Sequence, residues 1–291
     1  MINKYMPRRP KQRTNIIPYW DVIKRIIVES DVVLEVIDAR MIGLSRNEEV
    51  ENLIKEIGRP MIYVINKSDL VKKEVLRENL GMFGKEKVVF VSNRDKSSYK
   101  ILLYTIRKEF KKYGKRILPT DDGTSEGYKF RLPNAEIVVG VLGYPNVGKS
   151  SIINGLAHKK KAKVSKKAGT THGMHWIRVS DDIKIIDSPG VIPLQADDDL
   201  RYGLIGARDI EKIRNLDTVS YGIIKMFMKN DKKAFEKYFD IIIDDNEKED
   251  FDLIIEKIGK RKGYLQSGGV VDENRVFTNI LKSWQDGKLR I

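Results

Sequence analysis

The sequence contains no cysteine, which excludes disulfides and thiolate metal sites. It has only three histidines, His158, His172 and His175, too few and too ill-spaced to build a zinc site. No apolar run approaches the roughly 18 to 20 residues that cross a bilayer, and the first residues lack an apolar secretory segment. A membrane role is therefore not expected, and the cytoplasm is the expected location. Internal repeats and low-complexity tracts are missing as well. Residues 1–18 have no acidic side chain, yet carry Lys4, Arg8, Arg9, Lys11 and Arg13 with three prolines. They read either as a basic arm that docks on a surface or as a mobile, solubilising tail.

What is present is positive charge in a composition otherwise ordinary for a globular protein. The 291 residues are 41% hydrophobic and 33% charged, with a net charge of +14, enough chain for two domains and a substantial core. That excess points to a polyanionic partner, nucleic acid before membrane, with a generally basic proteome as the plainer explanation. Position favours the former, because the basic residues gather in the N-terminal arm and again at Lys159, Lys160, Lys161, Lys163, Lys166 and Lys167.

Hydrophobic patterning specifies an α/β fold. Residues 19–29 have helical periodicity, residues 31–38, 60–65 and 87–91 read as buried strands, and helices are expected over 47–57, 70–80 and 98–112. This alternation predicts a mostly parallel sheet with helices on both faces. Residues 113–134 are turn-rich and polar and form a connector. A further buried strand over 137–142 runs into Gly143-Tyr144-Pro145-Asn146-Val147-Gly148-Lys149-Ser150, and Ser151 opens a helix. Strand, G-x-x-x-x-G-K-[ST] and helix are the context that a phosphate-binding loop requires. Its amides, Val147 to Ser151 among them, would cradle phosphate oxygens at a helix N-terminus. Lys149 would reach the β- and γ-phosphates and the Ser150 hydroxyl would ligate Mg²⁺, as in P-loop NTPases.

Two further segments end at the carboxyl edge of the sheet, where open α/β folds bind ligands. Asn66-Lys67-Ser68-Asp69 has the N-K-x-D pattern: a carboxylate at Asp69 accepts from guanine N1–H and its exocyclic amine, which adenine cannot match. Asn66 would tie neighbouring loops and the Lys67 stem would cover the base. The tetrapeptide alone fits a solvated turn that caps a helix equally well. Ser92-Asn93, after the next strand, would support the base edge at O6 through the Ser92 N–H. Beyond the phosphate loop, Ala168-Gly169-Thr170-Thr171 offers Thr171 to Mg²⁺ in a loop that closes over a γ-phosphate. A hairpin over 175–186, turning at Asp181-Asp182, ends in Asp187-Ser188-Pro189-Gly190. There the D-x-x-G pattern supplies Asp187 to hold Mg²⁺ through water and Gly190 to meet the γ-phosphate. Residues 196–291 read as helical, with segments over 200–213, 218–228, 233–240, 249–259 and 272–286.

The order of these motifs is rotated, since N-K-S-D precedes the phosphate loop. With Asp38-Ala39-Arg40, Asn66-Lys67-Ser68-Asp69, residues 143–151, Gly169-Thr170-Thr171 and Asp187-Ser188-Pro189-Gly190, residues 20–195 resemble the circularly permuted GTPases of the YlqF/YawG type. Gly268-Gly269, Asp272 and Asp286-Gly287-Lys288-Leu289 are similar to the end of that family's helical domain. The resemblance implies a basic arm over 1–18, a permuted G domain over 19–195 and a helical RNA-binding domain over 196–291. It further implies GTP and GDP as ligands, with Mg²⁺. The implied function is a hydrolysing switch on ribosomal RNA or a large-subunit precursor, monomeric away from the ribosome. The same motifs permit a GTPase acting on tRNA, or a nucleotide-bound scaffold with negligible turnover. Departures from the family are a Met41-Ile42-Gly43-Leu44 continuation after Arg40 and no histidine in the arm. Val191 stands where many GTPases orient water with glutamine, so turnover should be slow and no catalytic residue is assigned. Asn146 resembles the residue with which related GTPases hold K⁺.

Overall fold

The structure, a computed structural model, describes residues 19–116, 130–131, 136–157, 164–165, 175–187 and 198–291. The basic arm, most of the connector, His158, His172, the lysine cluster, Thr171, Gly190 and Val191 lie outside the described residues. Helix α1 (Tyr19–Glu29) leads into β1 (Val32–Asp38), followed by a short turn of helix α2 (Ile42–Ser45) and α3 (Glu48–Ile57). Then come β2 (Met61–Asn66), α4 (Lys73–Glu78), β3 (Lys87–Phe90) and α5 (Lys96–Tyr113). The segment expected to be a connector contains a two-residue pairing, β4 (Lys115–Arg116) with β5 (Phe130–Arg131). After it run β6 (Ile137–Leu142), α6 (Lys149–Leu156), β7 (Val164–Ser165), β8 (His175–Arg178) and β9 (Ile183–Asp187). Helices α7 (Asp199–Leu204), α8 (Leu216–Asn230), α9 (Lys232–Phe239), α10 (Phe251–Lys262) and α11 (Glu273–Gln285) complete the chain.

The described strands other than β4 and β5 form one seven-stranded sheet in the order β3-β2-β1-β6-β9-β8-β7. From β3 to β9 neighbours are parallel, and the β8–β9 hairpin then adds antiparallel strands. Every residue of β1 and β2 is buried, as a parallel sheet covered on both faces demands. The apolar run 137–142 therefore becomes β6 at the centre, between β1 and β9. Chain reversal on either side of β1 and β6 opens a crevice at their carboxyl ends, where the phosphate loop leaves the sheet.

Two expected helices are cut short by tertiary or backbone constraints. The helix expected over 70–80 begins only at Lys73, because Leu70 closes a 3₁₀ turn, Val71 and Lys72 are extended, and Ile291 pairs there: Ile291 N–H donates to Leu70 O at 3.0 Å and Lys72 N–H to Ile291 O at 2.9 Å. The one expected over 200–213 stops at Leu204, where Gly206 takes φ 68° and Ala207 N–H closes back on Tyr202 O. That is the left-handed glycine stop of a helix. The other four C-terminal helices fall where their periodicity places them, and Trp284, Phe227, Phe235 and Phe239 form their fully buried aromatic centre.

Candidate functional site

The phosphate loop starts directly from the buried end of β6. Gly148 caps α6 with φ 103°, and a Cβ there would lie 2.0 Å from Asn66 Nδ2. Only glycine meets both demands. The first intrahelical bond of α6 is Ile152 N–H to Gly148 O at 2.9 Å. The amides of Lys149, Ser150 and Ser151 consequently have no acceptor within the helix, the condition under which a helix N-terminus receives an anion. Lys149 is buried, and its ammonium donates to Gly143 O and Tyr144 O, each at 2.8 Å. Burial pushes its pKa down to about 8, against the pull of the Asp187 carboxylate upward. Asp187 ends β9 and is paired in register with Val141 of β6, so it stands beside the start of the loop. Ser150 and Asn146 are exposed, and Asn146 adopts φ 59°.

The two motifs that the sequence separates by about eighty residues meet in the folded chain. Asn66 Nδ2 donates to Val147 O at 2.8 Å, and Lys67 Nζ donates to Asn146 O at 3.0 Å. Asn66 thus ties the loops together, the part its chemistry suggested. Its Oδ1 is buried without a hydrogen-bond partner. Lys67 is, like Asn146, a non-glycine residue with positive φ, and among the described residues there is only one other, Asp240. Two of these costly conformations flank one crevice and are joined by one hydrogen bond, the placement expected of a functional site.

Asp69 follows in the same turn. Its Oδ1 accepts from Ser92 Oγ at 2.7 Å, and its Oδ2 faces Arg94 Nε at 3.2 Å. Here the structure differs from the sequence expectation for Ser92. Its N–H, expected to meet a base oxygen, donates to Ser98 Oγ at 3.2 Å, and its hydroxyl donates to Asp69. Asn93 accepts from the Tyr99 hydroxyl, which binds this loop to α5.

Several participants are invisible to motif reading. Tyr144 occupies a variable position of the phosphate-loop pattern, yet its hydroxyl accepts from Asn47 Nδ2 at 3.0 Å and from Arg201 Nη2 at 3.3 Å. This links the loop to α3 and α7. Beneath it, Glu35 Oε1 accepts from Asn47 N–H at 3.0 Å. Burial, then the neighbouring Glu51, push the Glu35 carboxyl up to about 8. Asp38 accepts from Lys67 Nζ at 2.7 Å, a pairing that the Asp-Ala-Arg triplet did not announce.

Fold and site together define a P-loop nucleotide-binding protein of the GTPase class with its N-K-S-D motif placed ahead of its phosphate loop. The comparisons agree. The family described as 50S ribosome-binding GTPase matches residues 138–260. A GTP-binding protein of Methanocaldococcus jannaschii is 38% identical over 94% of this chain, which spans 66% of that relative's length. Ribosome biogenesis GTPase A of Priestia megaterium is 28% identical, over 89% of this chain and 86% of its own. The crystal structure of GNP-bound YlqF from T. maritima superposes with a TM-score of 0.56 at 20% identity, covering 93% of this chain and 94% of that one. The chain belongs to the circularly permuted GTPases of the YlqF type.

The residues present fit a guanine nucleotide. A buried, partnerless acceptor on Asn66, free amides at the start of α6 and a carboxylate at Asp69 lie along one crevice. For Mg²⁺, no group of three metal-ligating side chains occurs among the described residues. That is compatible with an ion held mostly by phosphate oxygens and water, with one hydroxyl and one carboxylate from the protein.

Proposed function

We propose that the protein binds and hydrolyses GTP as a switch in ribosome assembly, engaging ribosomal RNA or a large-subunit precursor. The observation that carries this reading is the contact of residues 66–67 with residues 146–147, which lets one guanosine triphosphate span both loops. Its similarity to ribosome biogenesis GTPases supplies the setting. In this reading Asn66, Lys67, Asp69, Ser92 and Asn93 serve the base. Residues 146–151 serve the phosphates. Ser150, Thr171 and Asp187 hold Mg²⁺, and Gly190 meets the γ-phosphate. The metal would neutralise charge between the β- and γ-oxygens. Residues 196–291 and the arm supply the RNA contacts. No described helix is long and apolar enough to cross a membrane, and the cytoplasm is the proposed location.

The test is co-sedimentation with ribosomal particles across a salt series. We expect the form loaded with a non-hydrolysable GTP analogue to sediment with large-subunit precursors and release as salt rises, because phosphate contacts displace counterions. Equal sedimentation of GDP and analogue forms would remove the switch.

Asn146 carries a second expectation. We propose that its exposed side chain helps hold a K⁺ that neutralises charge developing in the transition state. GTP hydrolysis is expected to run about tenfold faster in KCl than in NaCl, and equal rates in the two salts would dismiss the idea.

A further inference from the structure

The nucleotide reading leaves the wholly buried carboxylate of Asp38 without a task. Asp38, at the end of β1, collects four donors. On Oδ1 these are the Arg40 backbone N–H and Arg40 Nε, each at 3.0 Å; on Oδ2 they are Arg40 Nη2 at 2.8 Å and Lys67 Nζ at 2.7 Å. Two cations on one buried anion leave an excess positive charge that the surroundings must satisfy. Lys67 meets its share by donating to Asn146 O at 3.0 Å. Arg40 meets its share in the helical domain: Nη1 donates to the backbone carbonyl of Trp284, and the guanidinium carbon lies 4.2 Å from the Trp284 ring centroid.

That carbonyl belongs to the last turn of α11, where the helix presents partial negative charge and attracts a cation. The same indole donates Nε1–H to Leu204 O at 2.7 Å, at the end of α7. A second connection runs in parallel, since Ile291 pairs with Leu70 and Lys72 immediately after Asp69. The loop that would read the base is thus gripped on one side through Asp38 and Arg40 and on the other by the chain that leaves α11. Lys67 has reason to need this grip. Its left-handed backbone is unfavourable for a lysine, and its ammonium is anchored by Asp38 and Asn146.

We infer that Asp38 and Arg40 are positioning residues for the guanine loop, and that through them occupancy of the base end is coupled to the seating of α11. This rests on the assignment of residues 66–69 to guanine. The helical domain then senses whether a base is bound, separately from the γ-phosphate, and by reciprocity a partner that holds α11 in place tightens the grip on the base.

The experiment uses the full chain and two probes, GDP and inorganic pyrophosphate, the second filling the phosphate loop alone. Binding is read by calorimetry and the seating of α11 by amide hydrogen exchange over residues 281–291. In the wild type GDP slows exchange there and pyrophosphate does not. Arg40→Gln weakens GDP about tenfold, leaves pyrophosphate within about twofold, and abolishes the GDP-dependent protection. Arg40→Lys recovers part of both effects. Equal losses for the two probes, or unchanged GDP affinity with protection intact, would overturn the coupling. Should Arg40→Gln not fold, the wild-type comparison decides: equal protection by GDP and pyrophosphate refutes it. A wild type that binds GDP no better than ADP brings down the guanine assignment instead, an outcome visible before any variant is made.

Discussion

Replacing Asp69 with asparagine is expected to weaken GTP binding about a hundredfold or more and to make xanthosine triphosphate the preferred ligand. The geometry sets out why. Ser92 Oγ uses one lone pair of Oδ1, so that oxygen retains acceptor capacity. Arg94 shares Oδ2 at 3.2 Å, but its side chain is 62% exposed, and such a surface ion pair is worth at most about 1 kcal/mol. It yields readily to two charge-assisted bonds from guanine. An amide at position 69 keeps one acceptor, for N1–H, and turns a donor toward the exocyclic amine, which is also a donor. Xanthine has a carbonyl there and restores the match. Competition binding with both triphosphates measures the exchange. Asp69 is not part of the core, so the variant should fold as the wild type does. Unchanged GTP affinity in a folded variant would remove residues 66–69 from the site.

The parts of this molecule that the sequence reveals are those encoded in short windows. Alternating apolar runs place β1, β2, β3 and β6, and the spacing of Gly143, Gly148 and Lys149 places the phosphate loop. Asn66 and Asp69 stand out as candidates because the N-K-x-D pattern fits in a four-residue turn. What stays hidden depends on partners distant in the chain. The start of α4 is set by residue 291, more than two hundred residues away, which pairs with Leu70 O and Lys72 N–H while Val71 and Lys72 stay extended against the local helical preference. The Ser92 N–H is taken by Ser98, a partner that no motif announces. Tyr144 fills a position that the motif leaves open, and only its meeting with Asn47 and Arg201 shows that it ties the loop to α3 and α7. Asp38-Ala39-Arg40 is legible as a family mark but not as a connection, because the partner of Arg40 lies in α11.

Lys149→Ala is expected to reduce triphosphate affinity or turnover by about 10²–10³-fold, the scale on which one preorganised charge at a transferring phosphoryl group acts. Fold stability should change little. The ammonium is buried at a desolvation cost, and what it gives in return is two hydrogen bonds to the loop carbonyls of Gly143 and Tyr144. Those carbonyls hold it where phosphate arrives. A pH series separates this role from a merely structural one. Burial lowers the Lys149 pKa to about 8 in the free protein, with Asp187 opposing. A phosphate beside it favours the cation and raises the pKa again. Below pH 8 the group is already charged and binding is independent of this titration. Above it, binding must take up a proton, so affinity falls by up to about tenfold per pH unit until the pKa of the complex is reached. Lys149→Ala has nothing to protonate there, and its weaker affinity should run flat through the same interval. If the alkaline fall persists in the variant, the titrating group lies elsewhere and Lys149 does not carry the charge that meets the phosphate.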